Sequence, residues 1–175
     1  IQHVSGVPKI GNDVHPYLIA LFIGLQLGWK PPTNVTEHVY GDIRANPERY
    51  DPALVGFVGF GCSFAGKWFG GYARGNQTNG FPRNYAAESA RNLAAQREKI
   101  LDVDFRCGSY DTLEVPRNSL IYCDPPYFAT VKYPRTAEFD TSAFWRWCMK
   151  RAGAGCSVLV SEYRVPSFVK AVCLW

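Results

Sequence analysis

The chain has 175 residues, 47% of them hydrophobic and 19% charged, with a formal net charge of +4 at pH 7. That is enough for one domain with a sizeable core and does not demand a second. The mild positive charge suits a polyanionic partner without selecting DNA, and the longest apolar run, residues 17–27, is too short to span a bilayer. Cys62, Cys107, Cys123, Cys148, Cys156 and Cys173 form no C-x-x-C pair and no Cys/His cluster at metal-ligand spacing. No metal is expected, and the thiols read as reduced and mostly buried, in a cytoplasmic protein. The single methionine is Met149, and the chain ends on Leu174-Trp175 without a polar tail. Both ends read as cut from a longer protein.

Lys9 to Asp13 reads as a short strand ending in Asn12-Asp13. His15-Pro16 then opens an apolar helix from Tyr17 to about Leu27, since proline suits a first helical turn, and Gly28 to Pro32 closes it. An acid just before a helix is also a common cap, so Asp13 has that local reading. Thr36 caps a polar helix to about Asn46, with His38 facing solvent.

Residues 52–72 are rich in glycine and aromatics and carry two readings. Phe57-Val58-Gly59-Phe60-Gly61 has the spacing of a glycine loop that lets backbone approach a ligand. Alternatively, Gly56 and Gly59 allow tight helix packing while the apolar positions form core. The following segment, Gly70 to Asn84, reads as a mobile polar loop. Lys67, Arg74 and Arg83 are interleaved there with Trp68, Phe69, Tyr72 and Phe81, and its Asn and Gln side chains can read base edges. A solvated loop over a small aromatic core, its amides serving turns, is the competing reading.

Asn84 caps an alanine-rich helix to about Leu101, Val103 to Cys107 makes a strand, and Gly108-Ser109-Tyr110-Asp111 a turn. Leu120-Ile121-Tyr122-Cys123 is a further strand that stops abruptly at Asp124-Pro125-Pro126-Tyr127. Prolines cannot donate to a ladder and stiffen the chain beyond it, so Asp124 is presented at a strand's C-terminal end. That is the edge of an open α/β sheet where ligands bind. An ordinary Asp-Pro-Pro turn is the bland alternative. Residues 128–140 form a loop bearing Lys132 and Arg135, both suited to phosphate. Asp140 or Thr141 caps an aromatic helix of core character, Cys156 to Ser161 is a buried parallel-type strand, and Ala171 to Leu174 is a last strand.

The D-P-P-Y quartet resembles the motif of S-adenosylmethionine-dependent amino-methyltransferases, in particular the Dam-type and phage-like DNA adenine-N6 methyltransferases. The resemblance implies a Rossmann-like methyltransferase fold, S-adenosylmethionine as cofactor and double-stranded DNA as partner, in a protein expected to be monomeric. Restriction-modification systems and phages are the settings it suggests. Adenine's exocyclic amine is a poor nucleophile, so a catalyst must hold both N–H groups. Asp124 and the carbonyl of Pro125, made rigid by Pro126, are the two acceptors, and Tyr127 stacks on a flipped base.

The same resemblance places Asp13 on the cofactor's ribose hydroxyls, and Ser109 and Tyr110 near its adenine ring, where relatives often carry an acid. It puts target recognition in residues 31–83, with 1–30 and 84–175 as parts of the catalytic domain and Lys67, Arg74, Arg83, Lys132 and Arg135 toward DNA. Ser161-Glu162-Tyr163 resembles a segment bordering the base pocket. The F-x-G-x-G pattern follows Asp13 where the family's cofactor loop should precede it, so the true loop is expected before Ile1. Methylation of cytosine N4 or of RNA, and a nucleic-acid-binding module without catalysis, remain open alternatives.

Overall fold

The computed structural model describes residues 3–78, 80–126 and 139–174. The chain divides into two units, residues 1–110 and 111–175. In the first, strand β1 (Lys9–Asp13) pairs in parallel with β2 (Val103–Cys107), from Lys9 opposite Val103 to Asp13 opposite Cys107. Gly11 leaves room for the Phe105 ring, which stacks on Phe22 of helix α1 (Pro16–Gln26) at 5.0 Å. Near the end of α1, the Gln26 amide nitrogen donates to the carbonyls of Ile100 and Val103 at 2.7 Å. Arg97 Nε, on helix α4 (Tyr85–Arg97), donates to the Leu25 carbonyl at 2.9 Å. Orphan carbonyls at a helix end are thereby satisfied by a basic side chain.

Helix α2 (Glu37–Ala45) is capped by Thr36, whose hydroxyl accepts from the Val39 N–H, and helix α3 (Pro52–Gly56) by Asp51. From α3 the chain runs into a π-helical turn, Phe57–Gly61. The F-x-G-x-G stretch is thus helical and interior: Phe57 and Val58 are fully buried. Of the two sequence readings, tight helix packing describes what is observed. A side chain at Gly56 would collide with the Tyr17 carbonyl of α1, and one at Gly59 with the Trp68 ring. The core of this unit joins Leu21 and Leu25 of α1 to Ile43, Val55, Phe57, Val58 and Cys62, with Ala86 and Ala90 of α4. Burying each large apolar side chain stabilises by about 1.5–3 kcal/mol, and the interior leaves the Cys62 thiol pushed up to about 12.

In the second unit, β3 (Leu120–Cys123) pairs in parallel with β4 (Ser157–Val160), Leu120 opposite Ser157 and Cys123 opposite Val160. Helix α5 (Thr141–Gly153) lies between them in sequence and is capped by Asp140, which accepts from the Ala143 N–H at 2.8 Å. Its Phe144, Trp145 and Cys148 are buried, as the core reading expects. Along β3 and β4 burial alternates: Ile121, Cys123, Val158 and Val160 are half-buried, while Leu120, Tyr122 and Leu159 are exposed. Among the described residues the architecture is mixed α/β with two small parallel sheets. Ala171 to Leu174 does not form the expected strand; these residues are exposed and make no ladder, so their apolar character found no partner strand. Among the described residues no helix is long and apolar enough to cross a membrane.

Candidate active site

Two sheet edges carry Asp13, Ser109 and Tyr110, and Asp124, Pro125 and Pro126, respectively. At the first, the C-terminal ends of β1 and β2 are held level: the Gly108 N–H donates to the Asp13 carbonyl at 3.0 Å, and the Asn12 amide donates to the Gly108 carbonyl at 2.9 Å. Asp13, Ser109 and Tyr110 are therefore brought to one edge of one sheet. The Asp13 carboxylate is not the cap of α1. That position belongs to His15, which makes no side-chain cap. Instead Asp13 Oδ1 accepts the His15 backbone N–H at 2.7 Å, a local Asx-type turn that orients the carboxylate just beyond the strand.

His15 had no role in the sequence reading beyond preceding Pro16. In the structure its ring sits edge-on to Trp68 at 4.1 Å and to Phe60 at 5.0 Å, with Tyr17 at 6.1 Å. Its Nδ1 is buried without a hydrogen-bond partner. Burial pushes the imidazole below its ordinary value, with the Asp13 carboxylate opposing that shift. No periodicity or motif links residue 15 to the π-helical turn or to Trp68, so only the folded chain shows this contact.

At the second edge, β3 ends at Cys123 and delivers Asp124 to solvent, followed by half-buried Pro125 and exposed Pro126. The Ser161 N–H donates to the Cys123 carbonyl at 2.9 Å, so Ser161-Glu162-Tyr163 leaves β4 beside Asp124. The Glu162 carboxylate accepts the Tyr163 N–H at 2.7 Å, and Tyr163 is 80% exposed. Behind the edge, the Cys123 thiol is hydrogen-bonded to Cys148, which pulls Cys123 below and pushes Cys148 above the ordinary thiol range. Tyr127, Lys132 and Arg135 lie outside the described residues.

The expected loop between Gly70 and Asn84 is more ordered than its composition suggested. Ser63 bridges Tyr72, and Asn76 bridges Pro82, both antiparallel. The Arg83 N–H donates to the Gly75 carbonyl and the Gln77 N–H to the Phe81 carbonyl, which makes a small hairpin-like excursion. Phe81 on it is 67% exposed. Arg74 is paired with Glu37, and Arg83 with Glu88 at 2.5 Å while its guanidinium lies 4.7 Å from the Tyr85 ring centre. Each carboxylate holds its arginine above the ordinary range. Lys67 makes no ion pair among the described residues. No cluster of three or more His, Cys, Asp or Glu that could hold a metal occurs among the described residues.

A parallel-sheet edge that presents a carboxylate followed by a rigid Pro-Pro carbonyl can hold two N–H groups of one amine at once. Comparison with known families gives one match: the model described as D12 class N6 adenine-specific DNA methyltransferase covers residues 69–170, more than half of the chain. No curated protein matches it.

Proposed function

The chain belongs to the D12 class N6 adenine-specific DNA methyltransferases, and from that premise we propose that it moves the methyl group of S-adenosylmethionine to an adenine amine flipped out of duplex DNA. The observation that carries this reading is Asp124 at the C-terminal end of β3, beside the end of β4, inside the matched segment. Asp124 accepts one N–H of the amine and the Pro125 carbonyl the other. Together they turn the nitrogen lone pair out of conjugation with the ring, with Tyr127 stacked on the base. S-adenosylmethionine, when bound, would supply the electrophilic methyl and leave as the neutral thioether S-adenosylhomocysteine, the methylated amine losing one proton to solvent.

The residues present fit that cofactor at the β1–β2 edge. Asp13, its carboxylate already oriented by the His15 N–H, would accept the ribose hydroxyls, and Ser109 and Tyr110, just beyond β2, would lie toward the adenine. Parallel pairing in both sheets, with functional groups at strand C-termini, supports a Rossmann-like catalytic part formed from residues 1–30 and 84–175. Residues 31–83 carry the recognition role. Lys67 meets phosphate directly. Arg74 exchanges the exposed Glu37 carboxylate for a phosphate, a swap that loses little because exposed ion pairs contribute little, and Arg83 exchanges the half-buried Glu88. Lys132 and Arg135 add phosphate contacts from the segment after the motif.

Asp13→Ala is expected to raise the dissociation constant for S-adenosylmethionine by about ten- to a hundredfold, read by calorimetry, with DNA affinity unchanged. Wild-type cofactor affinity in that variant would remove Asp13 from the site.

A further inference from the structure

The placement of His15 goes beyond anything the motif implies. Its backbone N–H is the donor that orients Asp13 Oδ1 at 2.7 Å. The imidazole of the same residue is held between rings from other parts of the unit: Phe60 from the π-helical turn at 5.0 Å and Trp68 at 4.1 Å. Tyr17, two residues further on in the first turn of α1, stacks on Trp68 at 5.6 Å and closes the box. Trp68 is itself pinned, because its ring occupies the space that a side chain at Gly59 would need. The ring nitrogen Nδ1 contributes no hydrogen bond. The contacts with Phe60 and Trp68 are therefore those of a flat ring, and edge-on aromatic contacts have preferred geometries that resist rotation.

We infer that His15 is a positioning residue for the cofactor: its ring, clamped by Phe60 and Trp68, fixes the N–H that aims the Asp13 carboxylate at the vicinal diol of the nucleoside. This rests on the reading of Asp13 as the ribose acid. It makes the aromatic segment 57–69 part of the cofactor site's support as well as of the core, so that changes at Trp68 are felt as cofactor affinity.

The test compares three variants of the chain by calorimetry with S-adenosylmethionine, each checked for folding by circular dichroism. His15→Ala removes the ring and keeps the N–H, and is expected to weaken binding about tenfold through loss of one oriented hydrogen bond. His15→Phe keeps a flat ring and discards both ring nitrogens, and is expected to bind within about twofold of wild type. Asp13→Ala tests the ribose reading separately: if it binds normally, that reading fails. Native-state amide exchange then tests the clamp without the cofactor. A protected residue-15 amide in wild type, still protected in His15→Phe, is the expected result. Free exchange of that amide in the folded wild-type chain overturns the inference. So does wild-type affinity in folded His15→Ala, or a His15→Phe variant as weak as His15→Ala.

Discussion

Asp124→Ala is expected to lower the turnover number by about a thousandfold or more while DNA affinity stays within about twofold of wild type. The size follows from what the carboxylate does. Held by two acceptors, the amine nitrogen is aligned with the methyl donor; with one, it turns and its lone pair returns to the ring. DNA affinity is spared because phosphate contacts dominate it, and the residues proposed for those are Lys67, Arg74, Arg83, Lys132 and Arg135. Asp124 is exposed at a strand end, so its removal leaves no buried cavity and the fold is expected to survive. Steady-state kinetics with a fluorescence titration of DNA separates the two quantities. A variant that keeps turnover would move the chemistry elsewhere, and one that loses DNA binding equally would make Asp124 a docking residue.

Gly56→Ala carries the largest expected effect on stability. Alanine is favoured over glycine inside a helix by up to about 1 kcal/mol, so on local grounds the change should help. The added carbon, however, meets the Tyr17 main-chain carbonyl, which cannot rotate away as a side-chain tip can. Leu21 Cβ stands 3.1 Å away on the same helix and closes the other direction. Forcing α3 off α1 costs on the order of 3 kcal/mol. The steric term wins, and the melting temperature should fall by roughly 10 °C. An unchanged or raised melting temperature by calorimetry would show that the two helices do not approach in this way.

These two residues also mark what was legible in the sequence. Asp124 could be read because its signals are local: a β-branched and aromatic run, an acid, then two residues that cannot continue a ladder. The bounds of β1 and β2 and the caps at Thr36, Asn84 and Asp140 were readable for the same reason. The glycine-rich stretch was not. Gly56, Gly59 and Gly61 permit a loop or a close helix crossing equally well, and what decides between them is Tyr17, Trp68 and Ser89, all distant in sequence. The order of Gly70 to Asn84 was hidden likewise, because the Ser63–Tyr72 and Asn76–Pro82 bridges need partners that composition does not reveal. His15 is the clearest case at the site. Its neighbour Asp13 was picked out by chain position and resemblance, whereas the ring contacts that steady it arise only when the π-helical turn folds against the start of α1.

The central claim is adenine-N6 methylation with Asp124 holding the amine. Nucleoside analysis of DNA from cells expressing the protein tests it most directly, with wild type and Asp124→Ala compared in a host that lacks its own adenine methylation. N6-methyldeoxyadenosine in the wild-type sample and none above background in the variant is the predicted result. Equal N6-methyldeoxyadenosine in both, or N4-methyldeoxycytidine in its place, would contradict it.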